Sequence, residues 1–278
     1  MEVRLTTLCE NTASKPGFMA EWGISVLIQV DNVNVLFDTG AYLAAVRNAD
    51  KLGVDLSTID KIVLSHGHAD HTGGLRQVLR RTGETEVIAH PDIWDAKFTK
   101  RPYETKEAYI GIPFVRDELE LLGASFNLAK DPVHISDHIM TTGEVEMITD
   151  YEIIEPNLLV KKGDTLGHDP LADDLSMIVK TEKGLAIILG CAHRGTINTI
   201  RHAQRLTGEE RIYAVIGGTH LGPATEERVD KTIDDLKKIG VQKIGVSHCT
   251  GFKASMHVAQ AFGDRFFVNN AGTQVVLP

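Results

Sequence analysis

The sequence has few cysteines and no long apolar run, and each absence narrows what the protein can be. Its 278 residues include three cysteines, Cys9, Cys191 and Cys249, which are too few and too scattered for a disulfide framework. No stretch approaches the roughly 20 apolar residues that span a bilayer, and the N-terminus shows no signal-peptide pattern. We therefore expect a protein of the reducing cytoplasm without a membrane partner.

Basic residues are also outnumbered by acidic ones. The 29 lysines and arginines against 38 aspartates and glutamates give a formal net charge of -9. A broad nucleic-acid footprint normally needs a basic face, so we expect no nucleic-acid partner. A local basic patch can still bind a phosphate-bearing small molecule. The length suits one large domain with a substantial core, and a homo-oligomer is compatible with this composition.

Several common catalytic signatures are missing. The chain has no G-x-x-x-x-G-K-[ST] phosphate loop, no convincing G-x-G-x-x-G after a strand and no G-x-S-x-G nucleophile elbow. Histidine, in contrast, is abundant, with 12 residues. The positions of these histidines are therefore the first place to look for chemistry.

The most informative stretch is SHGHADHTGG at 65–74, directly after the apolar run KIVL. It places His66, His68, Asp70 and His71 within six residues, and imidazole and carboxylate ligands suit zinc, manganese or iron. Alternate residues can converge on one ion while Asp70 and His71 turn towards a neighbouring one. Four side chains this close cannot complete a site alone, so other ligands must come from elsewhere in the fold.

Two parts of the chain show the same order of predicted elements. β-Hairpins are predicted at 24–37 and 175–190, each followed by a strand break, a helix and a further strand. Later histidines, His193, His220 and His248, stand at the ends of predicted strands. We predict that His193 and His248 bind metal, because this repeat returns the chain to the same edge. For His220, three roles stay open: metal ligand, substrate contact or structural residue.

The remaining elements follow from hydrophobic spacing and from glycine and proline. Further strands are predicted at 60–64, 85–90, 211–218 and 242–248, short strands at 124–128 and 132–135, and helices at 41–53, 73–83, 196–208 and 225–240 and from Pro91.

The region at about 91–170 is irregular and contains no clear linker. We interpret it as a lid-like insertion over a site, so that residues 1–278 form a single domain. Lys100 and Arg101 in this region are candidates for binding an anionic substrate; the alternative is an ordinary solvated charge pair.

Asp38, in the FDTG that ends the first hairpin, is a candidate for a supporting role. A carboxylate there could accept a hydrogen bond from the second nitrogen of a metal-bound histidine and so orient the ring. The alternative is a simple turn aspartate.

These segments together resemble the metallo-β-lactamase superfamily. The resemblance rests on SHGHADHTGG as a His-x-His-x-Asp-His signature, on LFDTG upstream and on the later histidines, and it covers nearly the whole chain. It implies an αββα sandwich, with two facing mixed sheets flanked by helices and metal ions at one edge. It also implies that His66 and His68 share one ion with a third histidine, and that Asp70, His71 and His248 share a second.

Three later segments, DDLSMIVKTEKGLAIILGCAHRGTINTI at 173–200, IGGTHL at 216–221 and VSHCTG at 246–251, narrow the resemblance. They resemble the branch labelled dihydropterin-ribofuranosylaminobenzene-phosphate synthase-like, or simply metal-dependent hydrolases. One departure is visible: many relatives have a bridging aspartate in a Gly-Asp pair where this chain reads Gly190-Cys191-Ala192-His193. We therefore assign His193 to the first ion. No obvious residue supplies the bridging carboxylate, although Asp174 is a distant candidate.

The resulting hypothesis is a phosphodiesterase-like, metal-dependent hydrolase acting on a phosphoester-type small molecule through a metal-activated water. One or two divalent ions are expected, zinc first, with manganese or iron as alternatives. Asp70 would position or deprotonate the water, and His220 would stabilise charge or protonate the leaving group. One alternative is a transferase that condenses a dihydropterin pyrophosphate with a ribofuranosylaminobenzene phosphate. Another is a non-hydrolytic di-iron redox or binding protein.

Overall fold

Two β-sheets packed face to face carry the fold, as seen in a computed structural model that describes residues 2–100 and 103–278. Within these ranges the chain forms sixteen strands and seven α-helices. The strands are Val3–Cys9 (β1), Ser25–Val30 (β2), Val33–Phe37 (β3), Lys61–Val63 (β4), Thr85–Ala89 (β5), Ala96–Thr99 (β6), Ala108–Tyr109 (β7), Ala124–Leu128 (β8), Ile139–Thr141 (β9), Leu158–Lys162 (β10), Thr165–His168 (β11), Ser176–Thr181 (β12), Gly184–Leu189 (β13), Ile212–Gly218 (β14), Lys243–Ser247 (β15) and Gln274–Leu277 (β16). The helices are Ala44–Leu52 (α1), Ala69–Thr72 (α2), Leu75–Thr82 (α3), Arg116–Leu121 (α4), Thr196–Thr207 (α5), Glu226–Ile239 (α6) and Gly251–Phe262 (α7).

Both large sheets are mixed. The first has the strand order β16-β1-β2-β3-β4-β5-β8, antiparallel up to β3 and parallel from β3 to β8. The second has the order β15-β14-β13-β12-β9, in which β13, β14 and β15 run parallel. A smaller antiparallel sheet, β11-β10-β6-β7, stands beside them.

Apolar side chains fill three layers of the fold. Between the two large sheets, Val26 and Phe37 of the first belong to the same buried cluster as Met177 and Ile188 of the second. Helices α1, α3 and α4 cover the outer face of the first sheet, and α5, α6 and α7 cover that of the second. Strands buried on both faces read as continuous apolar runs, as GLAIIL does here. The predicted αββα fold class is confirmed.

Most predicted elements are present, with two corrections. Both predicted hairpins form, β2 with β3 and β12 with β13. The helix predicted from Pro91 is wrong: Pro91–Trp94 makes a short 3₁₀ turn, and the chain continues into β6, which pairs with the distant β10. The strand predicted at 132–135 is also wrong, because His134 makes one isolated bridge to Met140. After Pro91, long-range pairing with β10 decides the outcome, and local spacing does not show it.

The region at about 91–170 contributes to all three sheets. It supplies β8 to the first sheet, β9 to the second and all four strands of the small sheet. The division into one domain with a lid-like insertion stays a prediction. Within the described ranges, none of the helices has the length and apolar character needed to cross a bilayer.

Lys97 ties the small sheet to the His-rich loop at 65–74. It is 1% exposed, and its Nζ lies 2.8 Å from Asp169 Oδ2 and 2.9 Å from Asp173 Oδ1. The second oxygen of Asp173 accepts the backbone N–H of Gly67 at 2.8 Å. One buried cation therefore neutralises two buried carboxylates, and one of these holds the loop itself.

We predict that Lys97→Ala destabilises the protein by about 3–5 kcal/mol, because it leaves two buried carboxylates without a cation. Urea unfolding followed by circular dichroism measures the change in the free energy of unfolding. Lys100→Ala is the matched control: Lys100 is exposed and pairs with Glu107 at the surface. Its unfolding midpoint should stay unchanged. Equal midpoints for the two variants would contradict the role given to Lys97.

Candidate metal centre

The candidate site lies where the carboxyl ends of parallel strands from both large sheets meet, which is where open α/β sheets usually bind ligands. The His-rich loop follows β4, Asp38 follows β3, and His193, His220 and His248 come just after β13, β14 and β15. Residues far apart in the sequence are thereby brought to one edge.

The first cluster consists of His66, His68 and His193, all buried, with one ring nitrogen of each within 4.8 Å of the others. His66 Nε2 lies 2.9 Å from His68 Nδ1. Nε2 of His68 and both ring nitrogens of His193 are buried without a hydrogen-bond partner. Buried polar atoms are normally paired, so these three orphaned nitrogens indicate a ligand that would complete them.

The electrostatics of this cluster suit a cation. Burial and the neighbouring imidazoles lower the pKa values of His66 and His68 well below the ordinary range. Burial and His220 lower the pKa of His193 to about 3. The three rings are therefore neutral at physiological pH and keep the lone pairs that metal coordination requires.

The second cluster consists of Asp70, His71 and His248. Nε2 of His71 and Nε2 of His248 lie 3.2 Å apart, and Asp70 Oδ2 lies 3.3 Å from the latter. Burial opposes ionisation of Asp70, but His71 and His248 outweigh it and hold its pKa well below the ordinary range. Burial likewise opposes protonation of His71, but the carboxylates of Asp38 and Asp70 outweigh it and raise its pKa to about 9.

Asp38 anchors the His-rich loop from behind. Its Oδ2 lies 2.7 Å from His71 Nδ1 and accepts Ser65 O–H at 2.7 Å, while Oδ1 accepts Ser65 N–H at 2.7 Å. Because Nδ1 of His71 contacts Asp38, its Nε2 is the nitrogen that faces His248 in the second cluster. Gly190 passes close by: a Cβ there would lie 2.3 Å from Ser65 Oγ, so only glycine fits.

Backbone strain collects at this edge. Four of the six described non-glycine residues with positive φ belong to the site: Asp38 (58°), Ala192 (52°), His220 (48°) and His248 (56°). Such conformations are unfavourable for residues with a Cβ and tend to persist at functional sites, where the surrounding structure imposes them.

His220 stands beside the first cluster with a partner that the sequence did not reveal. Its ring centroid lies 4.0 Å from that of His193, and its Nδ1 lies 3.0 Å from Glu155 Oε1. The other oxygen of Glu155 is buried and unpaired, 4.0 Å from His193 Nδ1. Burial disfavours the His220 cation, but the hydrogen bond to Glu155 outweighs it and raises the pKa of His220. Nothing in the local sequence around Glu155 marks it, because only the fold brings it to His220.

Cys191 also lies at this site, although the sequence did not mark it as a ligand. Its Sγ lies 3.2 Å from His71 Nε2 and within 4.8 Å of a ring nitrogen of His66. Its position two residues before His193 was the available signal. Oδ2 of Asp174, the distant candidate for a bridge, accepts the backbone N–H of Arg194 at 2.9 Å, and its Oδ1 is buried without a hydrogen-bond partner. Burial raises the pKa of Asp174 to about 7.

A cavity of ≈ 450 Å³ opens over both clusters. Its described lining includes His68, Asp70, Cys191, His193, His220, His248 and Cys249, with Trp22, Thr99, Tyr109, Glu155 and Asn157 also contributing. Lys100 is not among these lining residues; its Nζ lies 2.9 Å from Glu107. Arg101 lies outside the described residues. Substrate contacts by these two cations stay predictions.

Comparison with known proteins agrees with this geometry. The family model of the metallo-beta-lactamase superfamily matches residues 24–194, which include the His-rich loop and His193. The chain belongs to the metallo-beta-lactamase superfamily. The predicted family is thereby confirmed.

Individual proteins match the chain over nearly its full length. The 7,8-dihydropterin-6-methyl-4-(beta-D-ribofuranosyl)-aminobenzene-5'-phosphate synthase of Methanocaldococcus jannaschii is 34% identical, covering 97% of this chain and 95% of that protein. The crystal structure of Tm1679, described as a metal-dependent hydrolase of the beta-lactamase superfamily, is 28% identical with a TM-score of 0.85, covering 98% of each chain. Zinc-bound PqqB from Methylobacterium extorquens shares the fold at 10% identity and a TM-score of 0.59, covering 98% of this chain and 99% of that one.

Members of this superfamily bind divalent metals, and the side chains present here fit such ions. The three orphaned nitrogens of His68 and His193 and the facing nitrogens of His71 and His248 are the observations that decide the fit. Imidazole nitrogens with a carboxylate are a typical donor set for zinc, and for manganese or iron as well.

We predict that His193→Ala lowers the metal content by about one ion per chain, because it removes a donor from the first cluster. Mass spectrometry of metals, after expression in zinc-supplemented medium and desalting, measures the stoichiometry. His168→Ala, on the exposed strand β11, is the control and should bind as much metal as the unmodified protein. Unchanged metal content in both variants would refute the ligand role of His193.

Proposed function

We propose that the protein is a metal-dependent hydrolase that cleaves a phosphoester bond in a small molecule. The observation that carries this proposal is the pair of adjacent donor clusters on the floor of one cavity, with the Glu155–His220 pair beside them. In this proposal His66, His68 and His193 hold one divalent ion, and Asp70, His71 and His248 hold the other. Bound there, such ions lower the pKa of water towards neutrality and polarise the phosphoryl oxygens.

Asp70 and His220 take the two proton-transfer roles in this reaction. Asp70 is partly exposed to the cavity and, with its low pKa, is ionised at neutral pH. Its carboxylate orients the attacking water and accepts its proton as the water oxygen bonds to phosphorus. His220 uses Nδ1 to contact Glu155, which leaves Nε2 as a proton donor. When the phosphorus–oxygen ester bond breaks, Nε2 protonates the leaving oxygen.

Hydrolysis is supported by the full-length likeness to Tm1679, a protein described as a metal-dependent hydrolase. We propose zinc as the resident metal, and a phosphate-bearing small molecule as the substrate. The acidic formal charge of -9 agrees with a small substrate better than with nucleic acid.

A transferase is the second candidate, favoured by the relative named as a synthase at 34% identity. In such a reaction the carbon–oxygen bond of a dihydropterin pyrophosphate breaks, pyrophosphate leaves, and the aromatic amine of a ribofuranosylaminobenzene phosphate bonds to that carbon and loses a proton. Divalent ions held by the same two clusters would neutralise the departing pyrophosphate, so the geometry serves both reactions.

The experiment that separates them uses the zinc-loaded or manganese-loaded protein. We expect nitrophenolate release from bis(p-nitrophenyl) phosphate that stops on chelation and returns when metal is restored. Pyrophosphate release that requires both pterin and aminobenzene substrates, without nitrophenolate release, would replace hydrolysis by the transferase. Failure of both assays would reject both reactions, and an iron-dominated, redox-active protein would favour a di-iron role.

We predict that His220→Ala lowers kcat at least about 10²-fold while leaving the metal content unchanged, because it removes a proton donor and not a ligand. Steady-state kinetics and metal analysis on the same preparation measure both quantities. His168→Ala serves again as the control and should keep the original kcat. A matching loss of metal would show that His220 coordinates an ion instead.

A further inference from the structure

The turn after β13 places a thiol between the two donor clusters. Cys191 is 3% exposed, and the left-handed conformation of Ala192 carries the chain from it to His193. Cys191 Sγ, a nitrogen of His66 and a nitrogen of His71 all lie within 4.8 Å of one another. His66 belongs to the first cluster and His71 to the second, so this sulfur adjoins both.

The orientation of His71 turns its Nε2 towards this sulfur. His71 Nδ1 is engaged by Asp38, which leaves Nε2 facing Cys191 Sγ at 3.2 Å. Typical zinc bonds of about 2.3 Å to sulfur and about 2.0–2.1 Å to nitrogen put a sulfur and a nitrogen donor of one tetrahedral ion roughly 3.5–3.6 Å apart. The 3.2 Å between Sγ and Nε2 is slightly shorter than this separation, so a small outward shift of either side chain lets both bind one ion.

The charge of the site leaves room for a second anionic ligand. Among the assigned donors of the two clusters, Asp70 is the one carboxylate, and the others are imidazoles, which bind metal in their neutral form. Two divalent ions close together repel each other, and an anionic donor between them reduces that repulsion. Thiolate is also a preferred ligand of zinc.

We propose that Cys191, as a thiolate, bridges the two metal ions. This inference rests on the metal centre of the proposed function. On metal binding the S–H bond breaks, the proton leaves to solvent, and the sulfur electron pairs bind the ions; no oxidant or reductant takes part.

Cys249 is the rival thiol. Its Sγ shares a cluster with Cys191 and His248, but within the described donor groups it is not joined to His66. It accepts the backbone N–H of His220 at 3.3 Å and lies 3.6 Å from the carbonyl oxygen of Cys191. Its position therefore suits the second cluster alone, and it provides a matched control.

Cobalt(II) reconstitution of the full-length, metal-depleted protein tests the bridge without relying on activity. Thiolate-bound cobalt(II) absorbs in the near ultraviolet by charge transfer. If the sulfur bridges the two ions, the intensity of this band should increase as the first equivalent of cobalt(II) is added and again as the second is added. We expect the band in the unmodified protein and in Cys249→Ser, and its loss in Cys191→Ser. The second equivalent should bind Cys191→Ser at least about tenfold more weakly, since even outer-shell changes cost 10–100-fold.

A second variant guards against misfolding of the first. Cys191→Asp supplies a carboxylate, so it should restore affinity for the second equivalent while lacking the charge-transfer band. Persistence of the band in Cys191→Ser, its loss in Cys249→Ser, or two bound cobalt ions without any band would overturn the bridge and leave the metal centre standing. Absence of cobalt and zinc binding by the unmodified protein would instead overturn the metal centre, and the bridge with it.

Discussion

The carboxylate of Asp38, fully buried at the end of β3, accepts hydrogen bonds from both the backbone and the side chain of Ser65 and contacts His71 Nδ1. These contacts fix the start of the His-rich loop and the rotation of one of its rings. They also set how closely the second sheet can approach, because Gly190 packs against Ser65 without room for a Cβ. A donor orphaned by loss of this carboxylate would cost about 1–3 kcal/mol. The two large sheets thus meet at these polar contacts, directly behind the candidate metal centre.

The fold holds its donor atoms in place at an energetic cost. His68 and His193 keep buried nitrogens without partners, and His71 and His248 point ring nitrogens at each other. A cation relieves these unfavourable contacts, so metal binding and folding are linked, and bound ion stabilises the native state by mass action. The strained backbone at Ala192, His220 and His248 belongs to the same arrangement. Strands of both large sheets lie behind these residues, and the cavity lies in front of them.

The sequence predicted the elements that carry this site well, because the patterns that mark those elements are local. The His-rich loop, the hairpins and the histidines at strand ends are each legible from spacing, and the repeat suggested that His193 and His248 return to one edge. Glu155 could not be found in this way, since its contact with His220 spans 65 residues and no pattern marks it. The same reason explains the wrong helix from Pro91, where pairing of β6 with β10 decides the structure. Cys191 was visible in the sequence, but its place between the clusters depends on how the sheets pack.

The proposed function depends on two metal ions, each held by one of the two donor sets at the edge of the sandwich. Anomalous X-ray diffraction from crystals of the metal-loaded protein, collected at the absorption edge of the bound element, tests it most directly. The account predicts two peaks, one within bonding distance of His66, His68 and His193 and the other of Asp70, His71 and His248. A fully folded protein from zinc-supplemented medium with no peak at either donor set would contradict it.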